Sequence, residues 1–477
     1  MWWLIFPAII VLFLAVVLIR TAAFKPRKAP EAGRFDIDVD VDTVAAHLAE
    51  MIRCKTVSSL ELERIDRAQF ERFIALLPEF YPNVYKACEF ERMAQWGLLL
   101  RWPGREAGAP TMFMAHYDVV PVDESEWSHP PFAAELVDGV MYGRGTLDTK
   151  NTLCATLEAA ELMIKQGFTP RHDILFAFGG DEECGGTIAR HMADTLHDRN
   201  MDPAMVIDEG GAVVSGVFPG VKRPAALIGI SEKGYLDVEL STDIPGGHSS
   251  TPPAHTGLGE LARAAVNIEG SPFPRSLTPP VAGLFGTLGR YSTFAYRLIF
   301  ANLWCFLPVL DAICKKGGGE MNAMIRTTTA LTQAEGSGAP NVMPGSPTMV
   351  FNLRTMPGST NDQALARLKK LTAKLNIKFR VMDNIPPSAI SEYSGEPWER
   401  ISSAVRQTYP EAIVSPFLML GGTDSKSYAP YCKHVFRFTG AELTGEERST
   451  IHAFDEHIPV KKLESMVKFY ARVMHLS

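Results

Sequence analysis

Three short apolar runs in the first half of the chain each end in acidic or imidazole side chains. The runs, with the polar residues that follow them, are Thr111–Ala115 with His116 and Asp118, Ile174–Phe178 with Asp181–Glu183, and Ala204–Ile207 with Asp208 and Glu209. A helical stretch, 150–166, separates the first two runs. Alternating strand-like and helical runs are typical of an α/β sheet, in which ligands bind beyond the carboxyl ends of the strands. The sequence therefore predicts that these polar side chains meet at one sheet edge.

A fourth polar cluster, Tyr142–Asp148, opens the predicted helix and adds a carboxylate to the same edge. Four carboxylate-rich loops that meet at one edge repel each other strongly unless cations lie between them. Imidazole and carboxylate ligands without thiolates suit zinc, manganese or cobalt. Each cluster alone is weak evidence, because an acidic turn is usually solvated. Their shared place after strands is what favours a metal site.

Other chemistries are less well supported. Asp148 stands where the third glycine of a dinucleotide fingerprint would follow Gly143-Arg-Gly145, and no phosphate loop, G-x-S-x-G or H-E-x-x-H motif occurs. The seven cysteines have no C-x-x-C spacing, which argues against a disulfide framework. With 47 Lys and Arg against 54 Asp and Glu, the net charge is −7, so we expect no nucleic-acid partner.

The N-terminal run Trp2–Ile19 is apolar at every position and long enough for a helix to cross a bilayer. Basic residues follow the run rather than precede it, which favours an uncleaved anchor over a signal peptide. Trp2 and Trp3 would then lie at one membrane interface. We predict a transmembrane anchor over residues 1–24 and a proline-containing linker over 25–34. The basic flank by itself favours a cytoplasmic body.

The hydrophobic pattern changes at Gly234, beyond which apolar and polar residues alternate as in half-exposed strands. The elements predicted there are the strands Tyr235–Ser241, Thr348–Arg354 and Ile377–Val381 and the helix Asn361–Leu375. We predict that 234–385 is an inserted domain and that 35–233 and 386–477 form the first domain. Within the insertion, 298–310 is very apolar but too short to span a bilayer. It forms core, a subunit interface or a contact with the bilayer surface.

Eight stretches of the chain carry motif-like residues. They are Met114–Pro121, Trp127–Asn151, Gly180–Gly186, Val206–Gly210, Gly246–Ser250, Asn341–Gly345, Gly421–Ser425 and Ile451–Glu456. In this order they resemble the motifs of the co-catalytic zinc aminoacylases and carboxypeptidases. That family includes acetylornithine deacetylase, succinyl-diaminopimelate desuccinylase and carboxypeptidase S. The chain looks most like the carboxypeptidase S and N-fatty-acyl-amino-acid hydrolase branch. The resemblance implies an α/β catalytic domain with a central mixed sheet flanked by helices, plus a smaller α+β lid and dimerisation domain.

The resemblance also implies roles for residues at the predicted metal site. Asp148 would bridge two zinc ions, for which cobalt or manganese could substitute, and Glu182 would be the general base. Asp118 would hold the imidazole of His116 in its ligating tautomer. The remaining metal ligands would be His116 and Asp208 for one ion and Glu183 and His452 for the other, while the neighbouring Cys184 and Glu209 are interpreted as structural.

In the inserted domain, the resemblance implies that His248 stabilises the oxyanion, often in the partner subunit's site. Arg354 would bind a substrate carboxylate through two hydrogen bonds, helped by Asn341 and by the backbone at Gly421 and Gly422. A strand arginine commonly serves a surface ion pair instead. These roles would make the functional unit a homodimer joined by its lid domains.

Together these features predict a membrane-tethered dizinc hydrolase that cleaves an amide or peptide bond next to a free α-carboxylate. Its substrate would be a peptide or an N-acyl amino acid, and the apolar anchor favours an N-fatty-acyl-amino-acid hydrolase or synthase. A receptor or scaffold on the same fold is the alternative of another class, disfavoured because the ligands and the base are all present. The family resemblance favours an extracytoplasmic body, whereas the flanking charges favour a cytoplasmic one.

Overall fold

The computed structural model describes residues 5–31 and 33–477. Its α-helices are α1 Ile5–Ala23, α2 Val41–Arg53, α3 Arg67–Phe80, α4 Pro82–Ala87, α5 Lys150–Lys165, α6 Thr187–Asp198, α7 Gly257–Glu269, α8 Pro279–Leu288, α9 Phe294–Ala301, α10 Leu303–Gly317, α11 Gly319–Met324, α12 Asn361–Leu371, α13 Gly395–Thr408, α14 Gly445–Ser449 and α15 Lys461–His475. Its β-strands are β1 Glu89–Met93, β2 Gly97–Trp102, β3 Thr111–His116, β4 Glu135–Val137, β5 Val140–Tyr142, β6 Ile174–Gly179, β7 Met205–Asp208, β8 Val213–Val214, β9 Ala225–Glu232, β10 Gly234–Ser241, β11 Gly247–His248, β12 Thr328–Glu335, β13 Val342–Met343, β14 Thr348–Thr355, β15 Lys378–Ile385, β16 Ile413–Met419, β17 Val435–Arg437, β18 Glu442–Leu443 and β19 His457–Pro459. Trp2 and Trp3, predicted at a membrane interface, lie outside the described residues.

A ten-stranded mixed sheet forms the centre of the larger domain. Its strand order is β1-β2-β6-β3-β7-β17-β9-β8-β18, with β16 paired to β9. The strands β6, β3 and β7 are parallel neighbours and correspond to the three predicted apolar runs. Every residue of these three strands is buried, as expected for strands covered on both faces. The predicted α/β sheet is therefore confirmed.

Helix α5 confirms the predicted helix at 150–166 and positions one part of the site. It begins at Lys150, two residues after Asp148, and ends at Lys165 before Gly167, whose φ of 80° stops the helix. The helix packs against α15, α2 and β3 and is buried over most of its length. This packing places the Asp148 loop at the same end of the sheet as the carboxyl ends of β3, β6 and β7.

The inserted domain has its own sheet and its own core. Strands β12, β14, β10 and β15 form an antiparallel four-stranded sheet, and α7 and α12 pack on it. Along β10 the buried residues Leu236, Val238 and Leu240 alternate with half-buried ones, as predicted. Helix α12 ends at Leu371, before the predicted Leu375, and the hydroxyl of the next residue, Thr372, donates to the carbonyl of Leu368.

The helical stretch 279–325 leaves the inserted domain and packs on the larger one. Its buried residues Leu284, Phe285 and Phe300 belong to the core of the larger domain rather than to the core around β10. Helices α9 and α10 meet at 115°, with Asn302 at the break. The predicted insertion 234–385 therefore contains a segment that structurally belongs to the other domain.

Helix α1 is long and apolar enough to cross a membrane, and its last turns contact the break between α9 and α10. The side-chain amide of Asn302 donates to the carbonyl of Val17 and to the hydroxyl of Thr21 at 3.2 and 3.1 Å. The guanidinium of Arg20 donates to the carbonyl of Ala301 at 3.3 Å. These bonds fix the direction in which α1 leaves the body, while most of the apolar residues of α1 stay exposed.

Candidate metal centre

The polar ends of the predicted strands meet because β6, β3 and β7 are parallel neighbours. His116 is the last residue of β3, and its Nε2 atom lies 2.9 Å from Oδ1 of Asp148. From the opposite side, Nε2 of His452 lies 3.1 Å from Oδ2 of Asp148 and 3.1 Å from Oε1 of Glu183. Asp148 therefore presents one carboxylate oxygen to each of two imidazoles.

Glu209, rather than Asp208, joins the group around His116. Oε1 of Glu209 lies 3.2 Å from Nε2 of His116. The Asp208 carboxylate instead accepts the backbone N–H groups of Glu209 and Ser425, each at 2.9 Å. The resemblance implies Asp208 as the ligand at this strand end. In the structure Asp208 is buried at the end of β7, and Glu209, which follows it, is the carboxylate within hydrogen-bonding distance of His116.

Asp118 lies behind His116 and connects it to the neighbouring loop. Its backbone oxygen lies 3.0 Å, and its Oδ1 atom 3.4 Å, from Nδ1 of His116. An acceptor beside Nδ1 keeps the ring proton there and leaves Nε2 free to bind a metal ion. The two oxygens of the same carboxylate accept the backbone N–H groups of Glu182 and Glu183, both at 3.1 Å. Asp118 thus positions both an imidazole and the predicted general base.

Glu456, to which the sequence assigned no role, holds the loop that carries Asp148. Its Oε1 atom accepts backbone N–H groups from Gly145, Leu147 and Asp148 at 3.1, 2.6 and 3.1 Å. Its Oε2 atom pairs with the guanidinium of Arg144 in the same buried region. The only sequence signal for this residue was its place at the end of the Ile451–Glu456 stretch.

The carboxylates of the cluster are crowded and withdrawn from water. Burial raises the pKa of Glu182 well above its ordinary value, and the nearby charge of Glu209 acts in the same direction. Burial, together with the charge of Asp148, raises the pKa of Glu209 to about 8. Asp148 behaves differently. Burial by itself would raise the pKa of Asp148, but hydrogen bonds from His116 and His452 outweigh burial and lower this pKa.

The imidazoles respond to the same carboxylates. Hydrogen bonds to Asp148 and Glu183 raise the pKa of His452 to about 10. Burial alone would lower the pKa of His116, but the charge of Glu209 and the bonds to neighbouring carboxylates raise it well above its ordinary value. The carboxylates of the cluster therefore favour positive charge at the site. In the absence of a metal ion, that charge comes from the protonated imidazoles of His116 and His452.

The donor atoms of the cluster fit divalent metal ions. One ligand atom each from His116, Asp148 and Glu183 lie within 4.8 Å of one another, and the same holds for His116, Glu182 and Glu209. Imidazole and carboxylate donors without a thiolate suit zinc, manganese or cobalt. Cations between these side chains would remove the carboxylate repulsion without requiring protonated histidines.

The predicted residues of the inserted domain make their hydrogen bonds within that domain rather than with the cluster. His248 pairs with Val342 in the short β11–β13 ladder, and the N–H of Ser249 donates to the carbonyl of Asn341 at 3.1 Å. The N–H of Ser250 donates to Nδ1 of the exposed His248 ring at 3.1 Å. In that tautomer Nε2 carries the proton and can donate a hydrogen bond.

Arg354 is half-buried, and the two predicted glycines, Gly421 and Gly422, are exposed. The half-buried guanidinium of Arg354 stacks over the ring of Tyr235 at 4.5 Å, and burial lowers its pKa. Among the described residues it makes no salt bridge, so the charge is available to a ligand. Gly421 and Gly422 follow β16 and are exposed, and a Cβ atom at Gly421 would meet nothing within 4 Å.

Comparison with known proteins assigns this arrangement to a family. Residues 112–476 match the model described as Peptidase family M20/M25/M40. The chain belongs to this family. Among curated M20 relatives, the human N-fatty-acyl-amino acid synthase/hydrolase PM20D1 is 34% identical over 421 residues, or 87% of this chain and 83% of the relative. The probable carboxypeptidase S-like 2 of Dictyostelium discoideum is 32% identical over 435 residues, or 90% of this chain and 83% of the relative.

Solved structures share the M20 fold. The M20 metallo-carboxypeptidase Sso-CP2 from Sulfolobus solfataricus superimposes with a TM-score of 0.68 at 18% identity, covering 92% of this chain and 99% of that one. The Bacillus subtilis YXEP protein, described as a dinuclear metal binding peptidase of the M20 family, gives a TM-score of 0.54 at 15% identity, covering 91% of this chain and 98% of that one. The predicted fold class, a mixed-sheet catalytic domain with an inserted lid, is confirmed.

Family membership also decides between the predicted classes of function. The M20 chain is an enzyme, a metallohydrolase that cleaves amide bonds, as predicted. The alternative of a receptor or scaffold without catalysis is not favoured, because histidine side chains that could bind a metal lie on both sides of Asp148. The family's two-metal chemistry also agrees with a site that offers two groups of ligand atoms.

Proposed function

We propose that the enzyme uses two zinc ions to hydrolyse an amide bond next to a free α-carboxylate. The observation that carries this proposal is the placement of Asp148, whose two carboxylate oxygens face His116 and His452 separately. Asp148 would be a ligand shared by both ions. His116 and Asp208, with Glu209 beside His116, would hold one ion, and Glu183 and His452 would hold the other. Cobalt or manganese could occupy the same ligands.

A pair of divalent ions, when bound, polarises the scissile carbonyl, activates a water molecule near neutral pH and neutralises developing negative charge. Glu182 supplies the proton transfer. Its carboxylate lies close to His116 and Glu209. Its backbone N–H donates to Oδ1 of Asp118 at 3.1 Å, which holds this part of the loop in place. Glu182 accepts a proton from the attacking water and later donates it to the leaving amine. A raised pKa suits this cycle, because the group must bind and release a proton within one turnover.

The inserted domain binds the substrate and completes the site in a homodimer. Arg354, a half-buried cation without an acidic partner among the described residues, binds the substrate carboxylate through its planar fork. Asn341 and the exposed backbone at Gly421 and Gly422 add hydrogen bonds. Nε2–H of His248 stabilises the oxyanion in the partner subunit's site, since the hydrogen bonds of His248 within its own chain stay in the inserted domain.

The substrate is a peptide with a free carboxylate or an N-acyl amino acid, and the second is favoured. The curated relatives carry both kinds of name, carboxypeptidase S and N-fatty-acyl-amino acid synthase/hydrolase. An apolar helix attached to the body would keep the enzyme where lipophilic acyl amino acids partition. Comparing hydrolysis of a long-chain acyl amino acid with that of a short dipeptide tests this preference. Equal or reversed rates would contradict it.

Substitution at adjacent glutamates tests the assignment of base and ligand. In Glu182→Gln we expect the metal content to stay at the wild-type value while kcat falls at least about 100-fold. In the matched variant Glu183→Gln we expect metal to be lost as well, because Glu183 lies 3.1 Å from His452. Metal analysis and steady-state kinetics on the same preparations distinguish the two. A Glu182→Gln enzyme with near-normal kcat would contradict the proposed role of the base.

We also propose that α1 anchors the enzyme in a membrane. Its apolar residues are largely exposed, and the bonds from Asn302 and Arg20 connect its last turns to the body. Deleting residues 1–24 should move the protein from the membrane pellet to the supernatant. Recovery of a mature protein cleaved after α1 would instead identify the helix as a signal sequence. Protease protection in sealed vesicles then shows on which side the body lies.

A further inference from the structure

We infer that a small apolar cavity beside the metal centre binds the hydrocarbon chain of the substrate's acyl group. The inference rests on the proposed function, because it places one part of an N-acyl amino acid. The free volume of the cavity is about 70 Å³, and its walls come from both the sheet and the helical stretch 279–325. The buried side chains that line it include Val214, Phe218, Leu284, Leu288 and Met324.

The position of the cavity links it to the reacting bond. Gly210, which lines the cavity, directly follows Glu209, and Glu209 contacts His116 at 3.2 Å. Arg448, which also lines it, lies on the short helix α14 that leads to His452. The two segments that border the cavity therefore each carry a proposed metal ligand, one for each ion. In the proposed binding mode the acyl chain extends from the carbonyl at the metal centre into this cavity.

The chemistry of the walls selects a hydrocarbon. The sheet and α8 contribute aliphatic and aromatic side chains to the lining. Arg448 and Glu320 also line the cavity, and Nη1 of Arg448 lies 3.4 Å from Oε1 of Glu320. Native cores are close-packed, so an apolar void leaves the atoms that line it without partners. Such voids stay dry and take up apolar ligands. One water needs roughly 10–15 Å³ of this kind of volume, so the cavity can hold several methylene groups.

The same walls connect the cavity to the membrane anchor. Phe218 packs on Phe300 of α9 with ring centroids 4.8 Å apart, and both rings contact Phe285 of α8. Helix α9 in turn contacts α1. Packed apolar side chains therefore connect α1, through α9 and α8, to one wall of the cavity. The stretch 279–325 thus supplies one wall of the proposed acyl site.

Two substitutions that change the cavity in opposite directions test the inference. Val214→Phe fills it, and the ratio of kcat/KM for an N-dodecanoyl to an N-acetyl amino acid should fall at least about tenfold. Leu284→Ala enlarges it, and the preferred chain length should shift to longer or branched acyl groups. The control Ala282→Phe adds similar bulk to the exposed face of the same helix and should leave the ratio unchanged. Thermal melting shows that each variant is folded.

The outcomes separate this inference from the proposed function. Wild-type hydrolysis of both substrates, with the same chain-length profile in Val214→Phe and Leu284→Ala, would overturn the acyl site alone. Absence of hydrolysis of any acyl amino acid or peptide by the metal-loaded wild-type enzyme would contradict the proposed function and the acyl site with it. Opposite shifts of the chain-length profile in the two variants are the result that the cavity predicts, and Leu284→Ala decides alone if Val214→Phe does not fold.

Discussion

The backbone N–H of Asp148 donates to Oε1 of Glu456 at 3.1 Å, and this hydrogen bond connects a C-terminal segment of the chain to the centre of the proposed metal site. The same oxygen accepts the N–H groups of Gly145 and Leu147, so one carboxylate satisfies three donors of a single loop. The side chain of Glu456 is fully buried and paired with Arg144. The orientation of Asp148 therefore depends on a residue that does not itself face the metal site.

Replacing Glu456 should damage both stability and metal binding. In Glu456→Gln one carboxylate oxygen is replaced by an NH2 group, which cannot accept a hydrogen bond from the backbone N–H groups of the loop or from Arg144. The neutral amide also leaves the buried Arg144 without a countercharge. We expect the free energy of unfolding to fall by about 3–5 kcal/mol and the metal content to fall below that of the wild type. Chemical denaturation and metal analysis measure these effects. The exposed Glu446→Gln on α14 is the control, and equal stability of the two variants would contradict the role of Glu456.

The metal-free protein should lose stability as pH rises. The pKa of Glu209 is raised to about 8, so between its ordinary value near 4.5 and about 8 the folded state holds more protons than the unfolded chain. The pKa of His452 is raised to about 10, so its stabilisation is complete below 6.5 and is lost as pH rises toward 10. The free energy of unfolding of the metal-free protein therefore falls as pH rises and these two groups lose their protons.

Thermal melting in chelator and in zinc, between about pH 5 and about pH 8.5, measures this dependence. The melting temperature in chelator should fall with pH, and the difference between the two conditions should widen, because metal ligands must be deprotonated. Glu209→Gln should flatten the fall in chelator. A melting temperature in chelator that rises over this range would contradict the proposed crowding of carboxylates.

Mixing two inactive variants should restore activity if His248 serves the partner subunit's site. In a dimer of Glu182→Gln and His248→Ala chains, one of the two sites contains both wild-type residues. After unfolding and refolding of an equal mixture, about a quarter of the wild-type activity is expected, because half of the dimers are mixed and each has one complete site. Activity no greater than the sum of the separate variants would place His248 in its own chain's site.

Periodicity and strand ends were sufficient to predict the framework of the site. Buried parallel strands appear in a sequence as continuous apolar runs, so β3, β6 and β7 were recognisable, and with them the edge at which His116 and Glu183 lie. Sequence alone could not show that Glu209 lies within 3.2 Å of His116. Asp208 and Glu209 are neighbours where β7 ends, and which carboxylate reaches His116 depends on the conformation of the chain beyond the strand.

Long-range packing explains the remaining differences. The role of Glu456 depends on contacts with a loop more than 300 residues earlier, which no local pattern records. The stretch 279–325 was assigned to the inserted domain because an apolar helical run indicates burial but not the core that it joins. The break at Asn302 was visible as a polar residue in an apolar run, whereas its contact with Val17 of α1 was not.

The number of metal ions in the purified enzyme tests the central proposal most directly. Purified wild-type protein, reconstituted with zinc and dialysed, should contain two ions per chain by elemental analysis, and Asp148→Asn, which weakens the shared ligand, should contain fewer while remaining folded. A folded wild-type protein that binds no divalent metal would contradict the proposal that the carboxylates and imidazoles around Asp148 form a two-metal hydrolytic centre.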